Sequence, residues 1–402
     1  MGAEGYSPAV LQKIEFAGGN AVSFEQAATA LKVLAELEIS GKHDQRLTVR
    51  LGEERREERD REVEAFCRRE LRPQHKEPPR VVAVHVDAGK AQMRADDGTP
   101  GVREPRWGDT KVACLNSYTA PVPQETDPQP EPPAAFLDPP AVARLVAEVH
   151  QVRGQPTPPA PVPLGPPGPA PAQEDLPDRP RVLLRTAVAT TADSERFGYM
   201  VAAEAQRRGF YDAAVKAVLG DGGNWIGPLG ATHFPGWLQV LDFVHLLCHL
   251  YAAAQAAFGG KRAWTLYEKL LRDAWAGKVG EVLATLEYHQ RRLGPTPEGA
   301  PEDDPRRVLA RVLAYVRDNA GRMDYPLYRR LGLPVSSAAV ESLVKQFNQR
   351  VKGTEKFWTK DRLEAVLQVR AAYLSQDDRA RTFFDRRPPG RAARAGPLPR
   401  AA

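Results

Sequence analysis

Residues 218–247 read "VLGDGGNWIGPLGATHFPGWLQVLDFVHLL". Two short apolar runs each stop at an aspartate, Asp221 and Asp242, and His245 follows the second. Open α/β sheets carry their functional groups at the carboxyl ends of strands, so such runs are candidate strands delivering carboxylates. Upstream, "VVAVHVD" at 81–87 has the same form and stops at Asp87. The expected class is therefore α/β, with elements arranged around a sheet whose strand ends carry acids.

The remainder of the chain narrows this picture. Its 402 residues suffice for two or three domains, and the net charge of +5 permits a polyanionic partner without requiring one. Three cysteines, Cys67, Cys114 and Cys248, form no CxxC pair, which argues against a disulfide framework or a cysteine zinc site and fits a reducing cytoplasm. "MGAEGYSPAV" lacks the basic and apolar regions of a signal peptide, so a cytoplasmic protein is expected. The most apolar stretch, 237–258, holds Asp242, His245 and His249 and reads as a strand and helix rather than a membrane span.

Residues 1–76 read as helical. In "SFEQAATALKVLAELEI", Ser23 and Gln26 form a capping-box pattern, and Ala27, Leu31 and Leu34 make an apolar stripe. "ISGK" at 39–42 predicts a turn and 45–51 a second short helix, a pattern compatible with a helix-turn-helix DNA reader. A mixed-charge helix is expected over 53–72. The first part of a core follows at 77–120: a strand at 81–87, a turn at "AGK", a strand at "AQMRA" and another at 111–119. Proline dominates 121–180, which reads as a flexible insertion with one helix at 141–152. Order resumes at 181–245, with a strand at 181–191, a helix at 195–209 and the two runs quoted above. Residues 246–332 form a helical insertion, 333–376 hold the last helices, and 377–402 are a basic, disordered tail.

Strands, helix, parallel-type strand, strand, helices is the element order of a ribonuclease-H-like five-stranded mixed sheet. That order places one acid on the first strand, one after the fourth and one on a late helix. Here those positions hold Asp87, Asp221 and Glu341. Val340, Leu343, Val344, Phe347 and Val351 form a buried helical stripe, and Glu341, Lys345, Asn348 and Lys352 lie along its polar side. Three carboxylates suit two magnesium ions, which take oxygen ligands and keep several waters. Such a pair activates an attacking oxygen and stabilises a leaving one in phosphodiester cleavage. Asp242, His245 and His249 imitate zinc-ligand spacing, but a zinc site needs four ligands, or three plus water, so the oxygen set is preferred.

These residues carry a resemblance. "VHVDAGKAQMR", Trp107, "KVACLNS", "GDGGNWI", "FPGWLQVLDFVHLLCHL", "NAGRMDYPLYRRLGLPVSSAAVES", "VKGTEKFW" and "LQVRAAYLS" occur in order over about 75–375. Together they resemble bacterial insertion-sequence transposases of the DDE class, in the mutator-related group carrying the Kra-type elements. The resemblance implies a ribonuclease-H-like core with a helical insertion, and Mg2+- or Mn2+-dependent cleavage and strand transfer at terminal inverted repeats. Asp87, Asp221 and Glu341 are its implied catalytic and metal-binding acids, with Asp242 and His245 as a supporting D-x-x-H signature. It implies double-stranded DNA as partner, a dimer or higher assembly, and a nucleoid-associated cytoplasmic location. Two positions depart from the pattern: Ala88 replaces a glycine after the first acid, and Ser336, Ser337 and Ala338 replace Gly-Ser-Gly before the acidic helix.

In this reading Lys345, Arg350, Lys352, Lys356 and Lys360 contact phosphates, and Trp358 either stacks on a base or belongs to the core. The alternatives are a DNA-binding descendant that has lost catalysis and a generic two-metal nuclease of the same fold.

Overall fold

The computed structural model describes residues 5–74, 77–94, 106–119, 124–153, 180–353 and 356–387. It is a mixed α/β structure built on one five-stranded sheet. The strands are β1 (Val81–Met93), β2 (Arg106–Tyr118), β3 (Val182–Thr190), β4 (Val215–Gly220) and β5 (Leu238–Leu241), in the spatial order β3-β2-β1-β4-β5. The first three pair antiparallel, whereas β4 and β5 run parallel to β1. Residues 81–86 are buried on both faces, as a central strand requires, which explains why "VVAVHV" shows no polar alternation.

The helices, in chain order, begin with α1 (Pro8–Asn20), α2 (Phe24–Ala35), α3 (Gly41–Cys67) and α4 (Pro139–Arg153). Next come α5 (Ser194–Arg207), α6 (Ile226–His233), α7 (Phe243–Ala257), α8 (Gly260–Trp275), α9 (Val279–Leu293), α10 (Pro305–Asp318) and α11 (Tyr325–Arg330). The chain continues with α12 (Ala338–Val351), α13 (Lys360–Leu374) and α14 (Arg379–Asp385). On one face of the sheet Val82, Val84, Val86 and Val218 pack against α5 and α6. On the other, Val81, Ala83, Ala217 and Leu219 share a core with α7, α8 and α10, and Val112, Cys114, Ala187 and Ala189 meet α12 and α13. None of the helices among the described residues is long and apolar enough to cross a membrane.

Two glycines read as breaks are packing positions. The expected turn at "AGK" is absent: Ala88, Gly89 and Lys90 stay in β1, paired with Lys111, Thr110 and Asp109. A Cβ at Gly89 would lie 2.9 Å from Thr110 Oγ1, so glycine here permits close approach rather than reversal. The expected short helix at 45–51 and charged helix at 53–72 are one 27-residue helix, α3, capped by Ser40, whose Oγ accepts from His43 N. Its Gly52 faces α13, where a Cβ would come within 2.2 Å of the Ala365 carbonyl oxygen. Ser23 caps α2 as its spacing predicts, accepting from Gln26 N.

The stretch read as a flexible insertion is anchored over its described part. Trp275 Nε1 donates to Gln129 O, Tyr267 Oη to Phe136 O, and Arg329 pairs with Asp127. Val142 and Val146 of α4 enter the core beside α7. Proline content misled here because the surrounding helices supply the donors that prolines lack. The rest of that expectation, 154–179, lies outside the described residues. The beginning of the expected tail is likewise held, since Asp377 and Arg379 pair with Arg207 and Glu204. Residues 388–402 lie outside the described set.

Candidate active site

Strand register brings the acids together. The offset of 134 residues that pairs Val81 with Val215 and His85 with Leu219 carries Asp87 to Asp221. The offset of 21 that pairs Ala217 with Leu238 carries Asp221 to Asp242. Three aspartates thus stand in one row across three adjacent parallel strands, Asp87 within β1 and Asp221 and Asp242 just after β4 and β5. Strand alternation puts Asp87 and Asp221 on the side of Val81, Ala83, Ala217 and Leu219, the side that α7 and α12 cover.

Asp87, Asp221, His245 and Glu341 line one cavity of about 320 Å3. Its wall also includes Leu145, Glu148 and Val149 of α4, Asp109 of β2, and Lys90, Lys345 and Lys352. Gly89 faces the same space, with Val344 and Asn348 of α12 closest to where its Cβ would stand after Thr110.

Each acid is oriented by a neighbour. Asp87 Oδ1 accepts from Ala88 N at 2.7 Å and Asp221 Oδ1 from Gly223 N at 2.9 Å. The Asp221 turn depends on Gly222, whose φ of +82° suits glycine and whose Cβ would meet Tyr315 Cε2 at 2.9 Å. Tyr315 Oη of α10 donates to the Asp221 carbonyl at 2.9 Å, tying the helical insertion to the site. Glu341 Oε1 accepts from Ser337 Oγ at 2.9 Å. Ser337 is the N-cap residue of α12, but its hydroxyl holds the α12 carboxylate rather than a backbone N–H.

Asp242 has a different environment. It is fully buried and forms the N-cap of α7. Its Oδ1 accepts from Val244 N and His245 N at 2.5 and 3.0 Å, and its Oδ2 from Ser337 N at 2.6 Å. Burial opposes its ionisation, but these N–H donors and the neighbouring His245 hold its pKa below the ordinary 3.8. Asp242 therefore pins the segment before α12 to the start of α7. His245 Nδ1 lies 3.6 Å from Asp242 Oδ2 and 3.8 Å from Glu341 Oε1.

Among the described residues, Asp242, His245 and Glu341 form a group whose ligating atoms lie within 4.8 Å of one another, a spacing that Asp87, Asp221 and Glu341 do not reach together. Asp242 is nonetheless the poorer ligand, because three backbone donors already use its oxygens. Asp87, Asp221 and Glu341 offer hard oxygen donors on an open wall, the chemistry Mg2+ or Mn2+ takes. His249, the third residue of zinc-like spacing, stacks on Tyr315 with ring centroids 3.9 Å apart and stands outside the group.

The basic residues assigned to phosphate divide. Lys345 and Lys352 line the cavity, Lys345 with Glu148 at 3.4 Å. Lys360 is exposed at the start of α13, in a separate groove with Arg56, Asp361 and Glu364. Arg350 is a correction: it is 2% exposed, donates to Gly18 O and Val22 O, and lies over the Phe24 ring. Nine residues beyond Glu341 is half a turn around the helix, which puts Arg350 on the buried side. Lys356 is also committed, with its ammonium on Gln349 O and Arg350 O at the end of α12. Of the two roles open to Trp358, the structure gives the core one: it is buried and donates from Nε1 to Val351 O. Ser337 as a clamp and Tyr315 as a prop have no local sequence signal, because their partners are supplied by folding.

Comparison with protein-family models and with curated proteins finds no match to this chain.

Proposed function

We propose that the protein is a DDE transposase with a ribonuclease-H-like core, cutting DNA at terminal inverted repeats and joining the ends to target DNA. The observation carrying this reading is the convergence of Asp87, Asp221 and Glu341 on one cavity, from positions 134 and 120 residues apart in the chain. The sheet order, with three antiparallel strands followed by two parallel ones, fits that core. Five carboxylates (Asp87, Asp109, Glu148, Asp221 and Glu341) and three lysines (Lys90, Lys345 and Lys352) line the cavity, a charge set that suits metal ions and a phosphodiester.

Asp87, Asp221 and Glu341 would hold two Mg2+ or Mn2+ ions, which when bound activate the attacking oxygen and stabilise the leaving oxygen of an in-line phosphoryl transfer. The chain's own residues set the geometry. Gly223 N and Tyr315 fix the Asp221 turn, and Ser337 fixes the Glu341 carboxylate. His245 stands beside Glu341, where it can donate a hydrogen bond to the carboxylate or to a phosphate oxygen. Lys345 and Lys352 attract the DNA backbone at the rim, a sequence-independent and salt-dependent contribution. Joining requires both element ends in one complex, so the working form is a dimer or larger.

The test uses purified full-length protein, Mg2+ and a duplex carrying the inverted repeat that flanks the gene. Nicking at the repeat end followed by joining to a second duplex is expected, with both lost in Asp87→Asn, Asp221→Asn and Glu341→Gln. No nicking by the unaltered protein, or equal nicking by the three variants, would overturn the reading. Nicking without joining would favour a nuclease.

A further inference from the structure

Beyond the cavity, β1 and β2 continue as a hairpin in which Ala91, Gln92 and Met93 pair with Gly108, Trp107 and Arg106. Trp107 is 49% exposed. The protein's other tryptophans have places: Trp237, Trp275 and Trp358 are buried, Trp225 packs edge-on against Phe197, and Trp264 packs against Tyr267 while bonding Glu268. Trp107 instead lies beneath a cation, with Lys352 Nζ 5.6 Å from its ring centroid. Lys352 also lines the cavity, as do Lys90 and Asp109 of the same hairpin. Strand alternation puts exposed Arg94, two residues beyond the Gln92 that pairs with Trp107, on the same face as the indole. Three cations, Lys90, Arg94 and Lys352, and one acid, Asp109, therefore stand on the side of an aromatic ring half open to solvent, contiguous with the proposed catalytic cavity.

We propose that this outer hairpin is a docking site for an unpaired nucleotide of the DNA strand entering the cavity. The indole would stack on the base, and Lys90, Arg94 and Lys352 would meet the flanking phosphates. The chemistry selects this ligand. An exposed aromatic plane takes any base face, and surrounding cations take a polyanionic backbone, the combination by which proteins hold single-stranded nucleic acid. A fully paired duplex end hides its base faces except the terminal one, so the site discriminates unpaired from paired DNA. The proposal rests on the reading of the cavity as a DNA site, but its test needs no cleavage.

Binding is measured in EDTA with full-length protein, using a duplex bearing a short single-stranded overhang with 2-aminopurine in it, and a blunt duplex of the same sequence. The unaltered protein is expected to bind the overhang duplex more tightly and to change the 2-aminopurine emission through stacking. Trp107→Ala should weaken overhang binding about tenfold and abolish the emission change, while altering blunt-duplex binding less than twofold, the scale of one base–aromatic stack. Trp107→Phe should retain most of both signals. A thermal melt checks that the exposed substitution leaves the fold intact. Equal overhang binding by the unaltered protein and Trp107→Ala, or equal affinity of the unaltered protein for overhang and blunt duplexes, would overturn the proposal. Nicking with Mg2+ that survives alongside such a result would leave the catalytic reading standing. Trp107-dependent binding without any nicking would do the reverse.

Discussion

Asp221 and Asp242 follow adjacent parallel strands in the same register, yet they do different things. After β4 the chain makes a glycine turn, and Asp221 is left on the wall of a cavity. After β5 the chain enters α7 at once, and Asp242 is buried beneath the N–H groups of Val244, His245 and Ser337. The first turns of helices carry amides that need acceptors, and a buried carboxylate supplies two. The lesson is that a strand-end acid is available for chemistry only when the next element does not claim its oxygens.

The comparison is broken most forcefully by exchanging the consequences. Asp221→Asn should reduce nicking at least ~10³-fold while shifting stability by no more than about 0.5 kcal/mol, whereas catalytic and structural roles would separate differently if the assignment were reversed. Asp242→Ala should instead lower unfolding stability by about 2–4 kcal/mol, since it removes a helix cap and strands buried N–H donors. Urea midpoints for both variants, beside their nicking rates, check the pair. An Asp242→Ala protein as stable as the parent would remove the distinction.

A third aspartate sharpens it. Asp44 of α3 is as buried as Asp242, but no hydrogen bond reaches either oxygen, and burial pushes its carboxyl up to about 7 against the charge of Arg350. With its folded pKa above the unfolded 3.8, the folded state binds the extra proton. Its contribution is therefore fully present below pH 4 and is lost as pH rises through 7. Asp44→Asn should gain roughly 4 kcal/mol relative to the parent between pH 4 and 8, read from denaturant midpoints across that range. Asp242, whose pKa is depressed, has the opposite sign: its stabilisation is present above 3.8 and is lost as pH falls through its lower folded value. Parallel pH profiles for Asp44→Asn and Asp242→Asn would contradict the claim that His245 and the backbone donors around Asp242 decide the sign.

The smallest effect concerns the prop under Asp221. Tyr315→Phe keeps the ring over Gly222 but removes the hydrogen bond to the Asp221 carbonyl. A loss of about 1 kcal/mol in stability and about tenfold in nicking rate is expected. A rate unchanged within twofold would show that the glycine turn holds Asp221 unaided.

Much of this arrangement was legible in the chain. Doubly buried "VVAVHV" marked the central strand, and the runs ending at Asp221 and Asp242 marked two strand ends, whereas β1 continues past Asp87 to Met93. The buried stripe of α12 fixed where Glu341 could point, since all five of its apolar positions are in the core. What escaped had tertiary causes. Gly52 and Gly89 looked like breaks because their function is to admit Ala365 and Thr110 from distant elements. Arg350 and Lys356 looked like surface cations because their carbonyl partners are set by packing. Element order already preferred Asp221 to Asp242 as a site acid; the physical reason, that the backbone of α7 and Ser337 claims the Asp242 oxygens, is visible only after folding.

The most direct test is Mn2+ binding to the full-length protein, followed by electron paramagnetic resonance of the free ion. The account predicts that Asp87→Asn, Asp221→Asn and Glu341→Gln each weaken binding at least about tenfold, and that Asp242→Asn, where it remains folded, weakens it less than Asp221→Asn. Mn2+ affinity that survives Asp221→Asn but is lost in a folded Asp242→Asn protein would contradict it, and would move the metal to Asp242, His245 and Glu341.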